Sequence, residues 1–199
     1  MPHEIHRVIR GGSLSHVKHI IDMDPSSLNK KNGELGYPLV TALKSNKGNI
    51  VNDLLQRNLS QNHLNAALLH SISAKRLNMV RRLLNKGARV NTQIRPGWSP
   101  LSYAAAGQNT SIIRELLSRG ALPTRQSLVS AITTSSLPSV QILLNAGAPI
   151  DQGILNMQMV TSIRTAISAA NTRRRTTAAI LSLRKAGLSQ NLIRKILMS

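Results

Sequence analysis

Gly97-Trp98-Ser99-Pro100-Leu101-Ser102-Tyr103-Ala104-Ala105, followed after a turn by Ile112-Ile113-Arg114-Glu115-Leu116-Leu117-Ser118-Arg119-Gly120-Ala121, is the stretch that decides how this chain folds. In each half the apolar residues fall at positions 0, +3 and +4, the signature of one buried face on a short helix. Gly107 marks the turn between the halves. A lone helix pair of this kind cannot bury its own apolar face and needs neighbours.

The neighbours are present. Ile5, Leu39, Leu68, Leu101, Leu128 and Ile167 form one column, and Val17, Val51, Val80, Ile113, Val140 and Ile180 a second, 12, 12, 12, 12, 12 and 13 residues later. Between units the second column steps by 34, 29, 33, 27 and 40 residues. Constant spacing within units and variable spacing between them reads as rigid helix pairs joined by loops that tolerate length change. Three residues after the first column stand Val8, Ala42, Ser71, Ala104, Ala131 and Ala170, mostly small, which lets successive pairs approach closely. Gly11-Gly12, Ser45, Ala74 and Gly107 are the expected turn residues inside the pairs. The reading is an all-α solenoid of stacked helix-turn-helix units.

The best unit is similar to the Gly-x-Thr-Pro-Leu-His-x-Ala-Ala motif of ankyrin repeats, and its second helix ends in the family's Gly-Ala. Weaker copies are Tyr37-Pro38-Leu39-Val40-Thr41-Ala42, Arg81-Arg82-Leu83-Leu84-Asn85-Lys86-Gly87-Ala88 and Leu143-Leu144-Asn145-Ala146-Gly147-Ala148. In the first unit Ile5-His6-Arg7-Val8 occupies the Leu-His-x-Ala place. The resemblance implies a single ankyrin-repeat domain over 1–199, with units near 2–30, 36–60, 64–91, 97–123, 125–151 and 164–187. A capping helix is expected over 188–198. One or two β-hairpin fingers are expected, at Asn32-Gly33 and between Asn91 and Gly97. The 40-residue step before the sixth unit inserts 152–162, read as a packed loop or extra turn, and Arg173-Arg174-Arg175 falls between the helices of that unit.

Composition bounds the chemistry. Of 199 residues, 41% are hydrophobic but only Tyr37, Trp98 and Tyr103 are aromatic, so the apolar surface is aliphatic and spread thinly. The chain has no cysteine, which excludes a disulfide scaffold, Cys-zinc sites and thiol catalysis. No secretory signal is visible at the start and no run of about 18 apolar residues occurs, so the expected location is intracellular, in the cytoplasm or nucleus. There is no Gly-x-Gly-x-x-Gly, no Walker-type phosphate loop and no Gly-x-Ser-x-Gly, and seven acids leave few pairings for acid–base work. A non-enzymatic interaction scaffold without cofactor is expected. His3, His6, His16 and His19 have the spacing of a metal-binding set, but His6 falls where the ankyrin motif itself favours His and the others suit a polar N-terminal cap.

The charge is +19, from 26 basic and seven acidic residues. Arg57, Lys86 and Arg119 share the place just before the loop, and Lys18, Arg81 and Arg114 the exposed side of the second helix. With units about 10 Å apart these columns make basic ridges on the convex side, joined by Arg173, Arg174 and Arg175. They would draw an acidic protein, or bind nucleic acid or an anionic surface without sequence preference. The resemblance places binding on the concave side instead. There the exposed position two after the first column carries Arg7, Thr41, His70, Tyr103, Ser130 and Ala169, with Trp98 beside Tyr103 and Arg89, Arg95 and Gln108 on the same finger and helix. These aromatics and arginines are suited to anchor a partner. The expected partner is another, acidic protein, bound by a monomer. A third reading takes 188–197 as an F-box-like helix of a ubiquitin-ligase adaptor.

Overall fold

The computed structural model describes residues 2–33, 36–93, 96–190 and 192–194. Among them, ten helices form five pairs: α1 (Pro2–Gly11) with α2 (Leu14–Met23), α3 (Pro38–Lys44) with α4 (Gly48–Gln56), and α5 (Gln61–Ser73) with α6 (Leu77–Asn85). α7 (Pro100–Ala106) with α8 (Thr110–Ser118) and α9 (Arg125–Thr133) with α10 (Leu137–Asn145) complete them. The first helices pack in one row, α1 on α3 on α5 on α7 on α9, and the second helices form an outer row behind them. A short α11 (Gln152–Leu155) and a 25-residue α12 (Thr161–Lys185) close the stack against α10.

The columns are the core, except at Ile180, which is only half-buried on α12. Ile5, Leu39, Leu68, Leu101, Leu128 and Ile167 are at most 1% exposed, and so are Val17, Val80, Ile113 and Val140. Ala42, Ala104 and Ala131 are equally buried, so the inner helices approach without a large side chain between them. Ser71 does the same work because its hydroxyl donates to the Ala67 carbonyl at 2.8 Å, leaving no unmet polar group. Inner helices start on capping hydroxyls: Ser60, Ser99 and Thr124 each accept from the backbone N–H three residues on, Thr124 in a full capping box with Ser127.

The turns differ from the sequence expectation by one residue. Gly107 has φ −78° and ends α7, while the next residue, Gln108, takes the left-handed conformation. Asn46, Lys75 and Ser135 do likewise, with φ between 53° and 55°. α6, α8 and α10 end on true left-handed glycines, Gly87, Gly120 and Gly147, whose following alanine N–H reaches back to Leu83, Leu116 and Leu143 at 2.9 Å. One bridge, Asn32 to Gly36 with both hydrogen bonds formed, makes the first finger.

The sixth unit departs from the expected helix pair. α12 runs unbroken through Arg173-Arg174-Arg175, because 163–186 contains neither Gly nor Pro and is rich in Ala and Arg, which favour helix. Thr165, Thr172, Thr176 and Thr177 bond the carbonyls four residues back, so their hydroxyls do not compete with the ladder. Arg174 turns inward and donates to the carbonyls of Ala148 at 2.7 Å and Leu144 at 3.1 Å, a cation placed on the negative end of α10. Of the expected cap at 188–198, residues 190 and 192–194 are helical with Ile193 buried, while 191 and 195–199 lie outside the described residues.

Histidine and asparagine side chains lock adjoining units. His6 Nδ1 lies 2.7 Å from Thr41 Oγ1 in a buried contact. His63 is wholly buried, accepts the Leu39 N–H at 3.0 Å through Nε2 and stacks on Tyr37 with ring centroids 4.8 Å apart. Asn29 and Asn91 each hold the loop that follows the next outer helix: Asn29 accepts from Ser60 N–H at 2.8 Å, and Asn91 from Leu122 N–H at 2.9 Å. Burial first, and then the His6 charge, push His63 down to about 4, against a bond to Leu28 that raises it.

Two predictions result. The unfolded chain protonates His63 near pH 6.5 and the fold resists doing so, which makes its contribution complete above that pH and lost progressively towards pH 4. Wild type is expected to lose stability by up to about 1.4 kcal/mol per pH unit across that window, and His63→Gln to flatten most of the slope in melting temperature against pH. His70, also held down, leaves a residue of it. Second, Ser135→Gly relieves a left-handed non-glycine turn and raises denaturant stability by about 0.5–1 kcal/mol.

Candidate partner-binding surface

The finger of the fourth unit brings Trp98 and Tyr103 together. Ser99 and Pro100 start α7, Trp98 precedes them, and Tyr103 follows one turn later on the same helix. The rings meet edge to face with centroids 5.0 Å apart, and both are half-buried. Trp98 lines a groove of about 400 Å³ together with Asn91, Ser99, Leu122, Thr124 and Arg125. Leu122 is 65% exposed there, one of the few large aliphatics turned to solvent. Asp151 caps α11 through the Ile154 N–H at 2.8 Å and is paired with Arg125, whose guanidinium holds the Asp151 carboxyl below its usual range.

The other concave-side candidates do not join this cluster. Arg89 is exposed, with its backbone N–H fixed by Asn65 at 2.9 Å, and Arg95 lies outside the described residues. Gln108 sits at the far end of α7 in the turn, where its amide donates to the Thr134 carbonyl of the next turn at 2.9 Å. His70 is half-buried near the end of α5; burial, and then the charges of Lys44 and Arg76, push its imidazole down. The position shared by His70 and Tyr103 is not uniformly exposed as expected. Thr41 is 2% and Ser130 3% exposed, Thr41 because His6 of the preceding helix covers it. His6 is therefore built into the interface between units, and His16 Nδ1 lies 3.1 Å from the capping Ser13 hydroxyl. The described residues hold no cluster of three or more metal-ligating side chains, and the His3 side chain is outside them.

The outer ridges form as columns, but carboxylates are set into them. Asp53 binds Arg57 at 3.0 Å and reaches Lys18 of the preceding unit at 3.5 Å, while Arg57 also meets Asp22 at 3.5 Å. Glu115 repeats the arrangement two units on, with Arg81 at 2.8 Å and Arg119 at 3.1 Å, and Arg119 reaches Asn85 at 2.7 Å. The Arg81 bond foremost, with Arg119 adding to it, holds Glu115 below its ordinary value. Lys86 and Arg114 stay exposed, as do Arg173 and Arg175 on α12. These cross-unit pairs left no signal beyond a 34- or 35-residue separation between opposite charges.

Comparison with known proteins agrees with this architecture. The family model for ankyrin repeats in three copies matches residues 5–94, and a single ankyrin repeat matches 96–127. The chain belongs to the ankyrin-repeat family, and its stack is a protein-interaction scaffold. An ankyrin repeat domain from Acinetobacter baumannii superposes with a TM-score of 0.67 at 18% identity, over 84% of this chain and 97% of that one. The chain is 42% identical over 64 residues to human mitochondrial disaggregase, covering 32% of this chain and 9% of that protein. It is 36% identical over 67 residues to mouse ankyrin repeat, SAM and basic leucine zipper domain-containing protein 1, covering 34% of this chain and 14% of that one. This chain thus spans only a small part of these relatives' length. No helix among the described residues is long and apolar enough to cross a membrane.

Glu115→Gln is expected to release both Arg81 and Arg119. It should raise the salt needed to elute the protein from heparin by more than Glu4→Gln, which changes the net charge equally at the exposed start of α1. Equal shifts would show that the ridge pairs do not restrain those guanidiniums.

Proposed function

We propose that the stack binds another protein, acidic on part of its surface, through its concave side, with Trp98 and Tyr103 as anchor. The observation that carries this reading is the edge-to-face pair of Trp98 and Tyr103, with Trp98 and the exposed Leu122 both lining the adjoining groove. Half-buried aromatics lose little conformational freedom on binding and shield neighbouring polar contacts from water. The net charge of +19 supports an acidic partner, since long-range attraction speeds its encounter. Arg89, outside this cluster, is exposed and adds to that attraction. We take the protein to act as a monomer in the cytoplasm or nucleus.

The second reading, nucleic acid or an anionic surface on the convex ridges, has less support. Four of the six ridge cations of the first four units, Lys18, Arg57, Arg81 and Arg119, already face Asp53, Asp22 or Glu115. Stacking bases would also need aromatics, and neither ridge column contains one. The adaptor reading rests on residues 188–197, which are only partly among those described.

Trp98→Ala is expected to weaken capture of a copurifying acidic protein by roughly tenfold or more. The edge-to-face contact it removes is worth about 1 kcal/mol, so melting temperature should fall by no more than about 4 °C. A much larger fall would make Trp98 a packing residue and remove the anchor.

A further inference from the structure

The turns that join inner to outer helices carry a basic surface distinct from both the outer ridges and the Trp98 groove. Arg10 ends α1, Lys44 ends α3, Lys47 opens α4, and Lys75 and Arg76 lie in the turn between α5 and α6. These turns touch across units. A Cβ built on Gly12 would lie 2.9 Å from Lys47 Nζ, and Arg76 Nη1 donates to the Leu43 carbonyl at 3.0 Å. The cations of three successive units therefore lie along one edge. Arg10, Lys44 and Lys75 are exposed, the last on a left-handed residue that lifts it from the helix.

What separates this edge from the outer ridges is the lack of carboxylates. Residues 5–21, 35–52 and 54–114 contain no Asp or Glu. Asp53, which follows soonest after the second turn, is already held on the outer row by Lys18 and Arg57. Burial foremost, and then the charges of Lys44 and Arg76, lower the His70 imidazole on α5, so both cations of this edge bear on it. Like charges repeated at about 10 Å, close to the Debye length, repel one another when no carboxylate lies between them, so the arrangement is poised for external anions.

We propose that this turn edge of the first three units is where the partner's acidic segment docks, as an extended peptide laid along the stack. Units repeat at about 10 Å, and a peptide in the polyproline II conformation advances about 3.1 Å per residue with three residues per turn, so carboxylates at every third residue share one side and meet each turn in succession. The turns 10–12, 43–48 and 73–77 hold no aromatic on which a base could stack, which favours peptide carboxylates over a nucleic-acid strand. This proposal rests on the acidic-partner reading above and gives that partner's charge a location.

The test uses a fluorescein-labelled peptide of about 15 residues with Glu at every third position and Ser or Gly elsewhere, titrated by anisotropy at moderate salt. The turn variant Arg10→Gln/Lys44→Gln/Lys75→Gln is compared with Arg114→Gln/Arg173→Gln/Arg184→Gln, which loses the same charge from exposed helical positions. Three exposed ion pairs lost together predict about tenfold weaker binding for the turn variant and less than about twofold for the other, with unchanged circular dichroism in both. Equal losses would overturn the location while leaving an acidic partner standing. No binding of the peptide to wild type would overturn both readings. Tighter binding of an oligothymidine of similar length, lost in the turn variant, would reassign the edge to a phosphate chain.

Discussion

Every other feature depends on one constraint: no helix pair here can bury its apolar face alone. A pair contributes one Leu or Ile and one Val or Ile to the layer it shares with its neighbour, and those side chains are buried because the next pair covers them. Stability is then a sum over interfaces between units, and a small residue at the third position of the inner helix sets how close the interface becomes. The same constraint explains the polar locks. His63 caps the start of α3 from the following unit, and Asn29 and Asn91 bridge to the following loops, so backbone groups left open at one unit are satisfied by a neighbouring one.

Charge is distributed over this scaffold by row. Among the described residues Asp22, Asp24, Asp53, Glu115 and Asp151 take part in ion pairs, and Asp53 and Glu115 each bind a basic residue at the end of their own helix and another across a unit boundary. Placed there, they turn two basic columns into cross-unit ties and leave the inner turns without carboxylates. Net charge alone would have spread the positive potential evenly over the molecule. The separation into rows concentrates it along the edge of turns that join inner to outer helices, at the end of the inner helices opposite to the one where Trp98 precedes α7.

The residues legible in advance were those governed by short-range rules. The 12-residue spacing identified the buried columns, and Trp98 with Tyr103 was visible because aromatics are so few. Less legible were Thr41 and Ser130, which share a register with half-buried Tyr103 but are fully covered, Thr41 by His6 from the preceding inner helix. Arg173-Arg174-Arg175 resembled a loop because the preceding units break at that place. The break in those units comes from a left-handed residue and its reaching-back hydrogen bonds, and α12 has no residue there that leaves the helix. Arg174 was readable as a cation but not as a cap on α10, since nothing local in the sequence ties it to Leu144 and Ala148.

Sequence by itself determined that this chain is a stack of helix pairs, which layers of Leu, Ile, Val and Ala hold it together, and that it carries a large positive charge. Periodicity encodes these because each follows from which way a side chain points on its own helix. Tertiary structure alone decided which cations are paired, which histidines are buried, and that Arg10, Lys44, Lys47, Lys75 and Arg76 share one edge. Those outcomes depend on the distance between side chains about 30 residues apart, which variable loops conceal in the sequence and stacking of the units makes definite.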